Sequence, residues 1–210
     1  MRKIRESNEN AIRAKRKDGD VSIGAMRIMV GNVLMDKEGY VYLKDIAEKL
    51  DIYDVMVSVR YFKGYDSVMR LYACWMVEQL PIPTDDKVFT KCLETAKAFA
   101  SGRIHEHEMR MANHSAWDHN TDNYSNYFMK KAMHYTSAAD VTDCIDVISM
   151  ECSYAYSRKE YDEVKRMQLW NESKDKQRAE LIRICECAEN KVSPYPELVH
   201  IEQLGFQRDY

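Results

Sequence analysis

The densest set of side chains able to do chemistry is His105-Glu106-His107-Glu108, followed by His114 and His119. Histidine and carboxylate together suit a metal or acid–base work, provided three or four ligands converge with fixed partners behind them. On a helix His107, Met111 and His114 share a face, with Glu108 alongside. His-x-His spacing splays two side chains apart on a helix, and the His-Glu-x-x-His order of zinc hydrolases is absent. A solvated histidine face is therefore the preferred reading. A metal-binding protein or metal-dependent hydrolase using His105, His107 and His114 is the alternative.

Other reactive types read as structural. Asp85-Asp86, Asp118 and Asp122 could form a carboxylate set for acid–base work or a divalent cation, yet each suffices as a helix cap or turn residue. Cys185-Glu186-Cys187 places two thiols about 200° apart on a helix, unlike a zinc knuckle or a redox pair. No phosphate-cradling glycine loop or nucleophile elbow is present, so catalysis is not expected and no cofactor is called for.

Aromatic residues offer a different chemistry. Trp117, Tyr124, Tyr127, Phe128 and Tyr135 cluster in sequence, with Tyr154 and Tyr156 later. Core packing accounts for many such residues, but Tyr and Trp also anchor protein interfaces at low entropic cost. Residues 104–155 carry eight acids against Arg110, Lys130 and Lys131, a balance of −5. An acidic aromatic surface suits a basic protein partner and repels nucleic acid. The expected contact residues are Glu106, Glu108, Trp117, Asp118, Asp122, Tyr124 and Tyr127. A small-ligand or nucleotide sponge lined by tyrosines is a further alternative.

The elements that must position these residues are helical. With 7 Gly and 4 Pro in 210 residues, the chain has little material for the turns of a sandwich or barrel. Spacings of three and four predict a helix over 66–80 (Val68, Leu71, Tyr72, Trp75, then Gln79 or Leu80), stopped by Pro81 and Pro83. A second spans about 86–101, with Val88, Phe89, Cys92, Leu93, Ala96, Phe99 and Ala100 in one stripe and Gly102 as its left-handed terminator. Asp51 or Asp54 caps a helix carrying Val55, Val59 and Phe62, with Gly64 as its stop. Further helices are expected over 104–117, with Ile104, Met109, Met111, Ala112 and Trp117 covering the preceding pair. Others span 124–137, 140–157 and 159–188. Residues 21–50 allow a short hairpin that turns at 36–39 before Tyr40-Val41-Tyr42-Leu43, or a helix broken at Gly31-Asn32; over 43–50 Leu43, Ile46, Ala47 and Leu50 share one face of a helical turn or two.

The expected organisation is a basic arm over 1–20, one helical domain over 21–190, and a docking segment or tail over 191–210. Seven Lys/Arg against Glu6 and Glu9 give the first 17 residues +5, leaving 24 basic and 32 acidic residues, or −8. The arm is the one part suited to nucleic acid. A composition 45% hydrophobic and 31% charged is that of a globular protein, with no run of about 18 apolar residues to span a membrane. The N-terminus lacks the apolar core of a secretory signal, so the six cysteines are expected reduced and the protein cytoplasmic. Homo-oligomers are compatible with this reading.

A family resemblance lies over about 55–160. It rests on Arg70, Leu71, Ala73, Cys74 and Trp75, then Glu78, Leu80 and Pro81, an acidic turn at Asp85, and Leu93, Ala96, Ala100 and Gly102. Glu106 and Glu108 follow at the next helix start. This resembles a helical family of immunity proteins found at bacterial toxin–immunity loci and in phages. Met76, Val77 and the less alanine-rich middle helices depart from its pattern. The resemblance implies an all-helical bundle that neutralises another protein by binding it, a toxin or a host-defence component, in host cytoplasm if phage-encoded. It implies no catalytic residues.

Overall fold

A computed structural model describes residues 8–15, 36, 38–62, 64–80, 86–118, 124–158 and 160–199. The fold is mainly α-helical, with one small antiparallel sheet. Strand β1 (Arg13–Lys15) pairs with β2 (Tyr40–Tyr42), Ala14 opposite Val41. Helices follow as α1 (Leu43–Lys49), α2 (Ile52–Val59), α3 (Asp66–Glu78), α4 (Lys87–Ala100), α5 (Glu106–Asp118) and α6 (Tyr124–Thr136). A 3-10 turn (Thr142–Cys144) then leads into α7 (Ile145–Ser157) and α8 (Glu163–Glu189). Among the described residues no helix is long and apolar enough to cross a membrane.

The expected strand at Tyr40 is present, but its mate comes from the basic segment; residues 16–35 lie outside the described part. Ala11 and Ile12 are buried, and Leu43 N–H donates to the Ile12 carbonyl at 3.0 Å. The end of that segment is thus built into the core. Asp36 orders the approach to β2. One carboxylate oxygen accepts from the backbone of Glu38 and Tyr40, and the other accepts from the Tyr42 hydroxyl at 2.5 Å. Three hydrogen bonds and nearby Arg13 hold this carboxyl below its ordinary range, although its burial acts in the opposite sense.

Helix α3 is the centre. It packs against α4, α6, α7 and α8, and its buried residues run around the whole circumference, from Val68 and Met69 to Met76 and Val77. A helix apolar on all sides belongs inside a bundle. Leu71 and Tyr72 are buried as the spacing predicts, while Trp75 is half-buried and Leu80, not Gln79, faces inward. Helix α4 starts on Asp86, whose carboxylate accepts from the Val88 and Phe89 amides at 3.1 Å. It ends in a Schellman motif: Gly102 has φ +68, and Arg103 N–H reaches the Ala98 carbonyl at 2.9 Å. Asp51 caps α2 through Tyr53 N–H.

Arg70 is the polar residue that α3 buries, at 1% exposure. Its guanidinium donates to the Thr136 carbonyl at 2.7 Å and the Ala139 carbonyl at 3.0 Å, and lies 5.1 Å from the Phe99 ring centroid. Thr136 is the last residue of α6, so the cation meets the negative end of that helix and satisfies carbonyls without helical partners. Burial pulls its pKa down, and Asp66 and Asp140 work against that fall.

Helices α7 and α8 meet along a buried polar seam. Ser149 donates to Gln177 Oε1 at 2.5 Å, and Gln177 Nε2 donates to Ser153 and Ser173. The Tyr72 hydroxyl donates to the Gln177 carbonyl at 2.9 Å, tying the seam to α3. A buried network of this kind stabilises only when its members are partnered, which fixes the helix register. Beyond α8 the chain turns back. Tyr195 and Val199 are buried, the Tyr195 hydroxyl donates to Glu180 at 2.9 Å, and Arg183 donates to the Pro194 carbonyl. Residues up to 199 therefore dock on the bundle.

Candidate functional site

The histidine–glutamate cluster opens α5. Glu108 reaches back to accept from His105 N–H at 2.9 Å, the return half of a capping box. Glu106 pairs with Arg110 one turn on, at 2.7 Å. His105, His107 and His114 are exposed, and among the described residues no group of three His, Cys, Asp or Glu side chains is placed to hold a metal. The glutamates thus serve the helix itself.

Helix α5 buries only Met109, Ala112 and Ala116, at spacings of three and four. Met111 and Trp117 fall off that stripe and are exposed, so they do not cover the preceding helices as the sequence suggests. Trp117, 48% exposed, is nevertheless held firmly. Its ring lies 4.8 Å from the His134 ring of α6, with the Lys130 ammonium 5.5 Å from its centroid. His134 is anchored in turn. Its Nδ1 is 3.4 Å from the Asn113 carbonyl, and the Asn113 amide donates to the His134 carbonyl at 2.7 Å. Burial lowers the His134 pKa, with neighbouring His114 and Lys130 acting in the same direction.

Tyr127, Lys130, Lys131 and His134 are spaced 0, 3, 4 and 7 along α6 and so share one face, across whose end Trp117 lies. Tyr127 is exposed, with the Lys131 ammonium 5.4 Å from its ring. Lys131 also donates to Glu151 of α7 at 2.5 Å. That carboxylate is buried, and its second oxygen has no hydrogen-bond partner among the described residues.

The aromatic run proposed from sequence divides into separate groups. Trp117 stands with His134 and Lys130. A ladder crosses three helices, from Tyr127 to Phe128 (5.7 Å), to Tyr154 (5.2 Å), to Trp170 (4.6 Å), with Arg158 over its middle rings. Tyr156, two residues from Tyr154, faces the other way and accepts from Lys176 at 3.0 Å. There Trp75, Leu80, Tyr156 and Lys176 frame a crevice above Cys152 whose enclosed space is on the order of one water molecule.

Of the expected contact residues, Trp117, Asp118 and Tyr127 fall on the α5–α6 surface. Glu106 and Glu108 sit at the other end of α5, roughly 15 Å away at 1.5 Å per residue. Asp122 and the side chain of Tyr124 lie outside the described residues. Sequence reasoning missed His134 and Lys130. Their spacing from Tyr127 was the available signal, since it puts them on the face beneath Trp117.

The six cysteines are free. Burial pushes the Cys74 thiol up to about 12 and Cys92 to about 11, which leaves both unreactive. Cys185 is buried while Cys187 is half-buried, as a divergent Cys-x-Cys requires.

Fold and surface together define a helical-bundle protein with an ordered, partly exposed aromatic cluster at one helix pair. Comparison with protein-family models, with curated proteins and with solved structures finds no match for the chain.

Proposed function

We propose that this chain is a non-enzymatic binding protein that inhibits a protein partner by sequestering it, in the manner of an immunity protein or a phage anti-defence protein. The observation that carries this reading is Trp117. It is a large aromatic side chain, half in solvent, fixed in place by His134 and Lys130 and anchored through Asn113. A pre-positioned aromatic with little rotamer entropy to lose is the kind of group that dominates binding energy at an interface. Asp118 and Tyr127 extend the surface, and Asp122 and Tyr124 continue it in sequence. The resemblance over 55–160 to immunity proteins supports the same class. The six free cysteines fit a reducing compartment such as the cytoplasm.

The acidic balance of 104–155 contributes less than its sum suggests. Glu106 pairs with Arg110, Glu151 with Lys131, and Asp146 with Arg60. On the α5–α6 surface Asp118 can steer a basic partner, so shape and aromatic burial provide most of the affinity and salt weakens it modestly. The test is affinity capture of a protein from host lysate with the wild type and with Trp117→Ala. A stoichiometric partner retained by the first and lost by the second supports the reading. Absence of any stoichiometric protein contradicts it.

A further inference from the structure

A lysine is almost never buried in a folded protein unless it is paired. Lys174 of α8 departs from that rule. It is 9% exposed, yet its amine makes no hydrogen bond or ion pair among the described residues. Trp170, Lys174 and Arg178 are four apart and form one row along the helix. The Trp170 ring meets that of Tyr154 at 4.6 Å, and Arg178 donates to the Ala47 carbonyl at 3.1 Å, so the row faces α7 and the end of α1. The Lys174 amine lies 5.2 Å from the Trp170 ring centroid. Asp51, the cap of α2, acts on it through charge alone. Two unpartnered side-chain atoms are fully enclosed among the described residues, Arg60 Nε and Glu151 Oε2. The Lys174 amine is not one of them, so its stem is packed while its tip meets solvent. Burial lowers the pKa of this amine, and Asp51 opposes only part of the fall. More of it is therefore neutral nucleophile near neutral pH than is ordinary for a lysine.

We propose that Lys174 is a modification site, an amine that accepts an acyl group from a small thioester. The nitrogen bonds to the thioester carbonyl carbon, the carbon–sulfur bond breaks, and the amine proton leaves with the sulfur as a free thiol. Amine and thioester thus become amide and thiol, with no oxidant or further reagent. The surroundings select acyl transfer over imine formation with an aldehyde. Imine formation needs an acid to expel water, and no acidic group is hydrogen-bonded to this amine; the protonated imine would also remain a cation. The amide is neutral, so acylation removes the unpaired charge that burial disfavours while the packed stem stays in place. Lys176, two residues on, is the contrast within the same helix: it is exposed, and its amine donates to the Tyr156 hydroxyl at 3.0 Å.

The test uses the full wild-type chain and a small thioester, S-acetyl-N-acetylcysteamine, near neutral pH. Acetylation at Lys174 and at Lys176 is quantified by peptide mass spectrometry, for the folded chain and for the chain unfolded in urea. In the folded chain we expect Lys174 to be acetylated at least about threefold faster than Lys176, and in urea the two to be nearly equal. The folded-state excess narrows as pH is raised toward about 10, where ordinary lysines become neutral as well. A folded chain that acetylates Lys174 no faster than Lys176 overturns the proposal. An excess that survives unchanged in urea, or that does not narrow with rising pH, overturns it equally, since neither comes from the buried, unpaired state of the amine.

Discussion

Helices α3 and α5 are each 13 residues long, yet α3 buries nine of them and α5 three. The difference lies in what surrounds the apolar positions. In α3 they fill the whole circumference, and even Arg70 finds carbonyl partners inside. In α5 two alanines and one methionine form a narrow stripe, and the remaining face carries histidines, caps and Trp117. One helix makes the bundle and the other presents a surface. Mutations should therefore sort by helix, with stability lost in α3 and binding lost in α5.

That division is tested most severely at Arg70. Arg70→Ala removes a buried side chain and leaves the Thr136 and Ala139 carbonyls without their donors, so we expect a loss of about 3–5 kcal/mol in urea unfolding. A loss under about 1 kcal/mol would mean that α3 does not organise the bundle through this contact.

Between the two helices in severity stands the Lys131–Glu151 pair behind the α5–α6 surface. Lys131→Met strands a buried carboxylate with neither oxygen partnered, at an expected cost of about 3 kcal/mol. Replacing both residues, Lys131→Met with Glu151→Leu, should recover most of that. The pH dependence has a defined sign. The hydrogen bond to Glu151 raises the Lys131 pKa above its ordinary 10.5, although partial burial opposes the rise. The contribution of this lysine is fully present below 10.5 and is lost as pH climbs through the higher folded value. Chemical denaturation should show a constant wild-type advantage near neutrality that narrows only in strong alkali.

The smallest effect is expected at His134. Burial lowers its folded pKa below the ordinary 6.5, so its stabilising contribution is present above 6.5 and lost as pH falls through the folded value. Comparison of wild type and His134→Gln from neutral pH down to about pH 5 should show the wild type losing ground in acid, by less than either change above because the ring is partly solvent-screened. A His134 resonance titrating above 6.5 would contradict the geometry.

What the sequence made legible was local. Asp86, Gly102 and the stripe between them placed α4 within a residue at each end, because caps and terminators act on their own helix. The strand at Tyr40–Tyr42 was readable, but its mate was not: Ala11 and Ile12 sit among charges that mask two buried side chains. Nothing local marked Arg70 as buried, because its acceptors are 66 and 69 residues away. For the candidate site, Trp117 and Tyr127 were found by residue type. The grip of His134 and Lys130 on Trp117, and the ladder that carries Phe128 and Tyr154 away from it, depend on how three helices pack. The partners of Glu106 and Glu108, Arg110 and the His105 amide, were not legible, since they come within reach only once the helix has formed.

The central claim, that Trp117 belongs to function and not to the fold, can be tested in one paired measurement. Trp117→Ala and wild type are compared in the same preparation for thermal midpoint and for stoichiometric capture of the host partner. We expect the midpoint to move by no more than a few degrees, as for a change of about 1 kcal/mol or less, while capture of the partner is lost. A Trp117→Ala protein that unfolds early, or one that holds the partner as fully as wild type, would contradict the account.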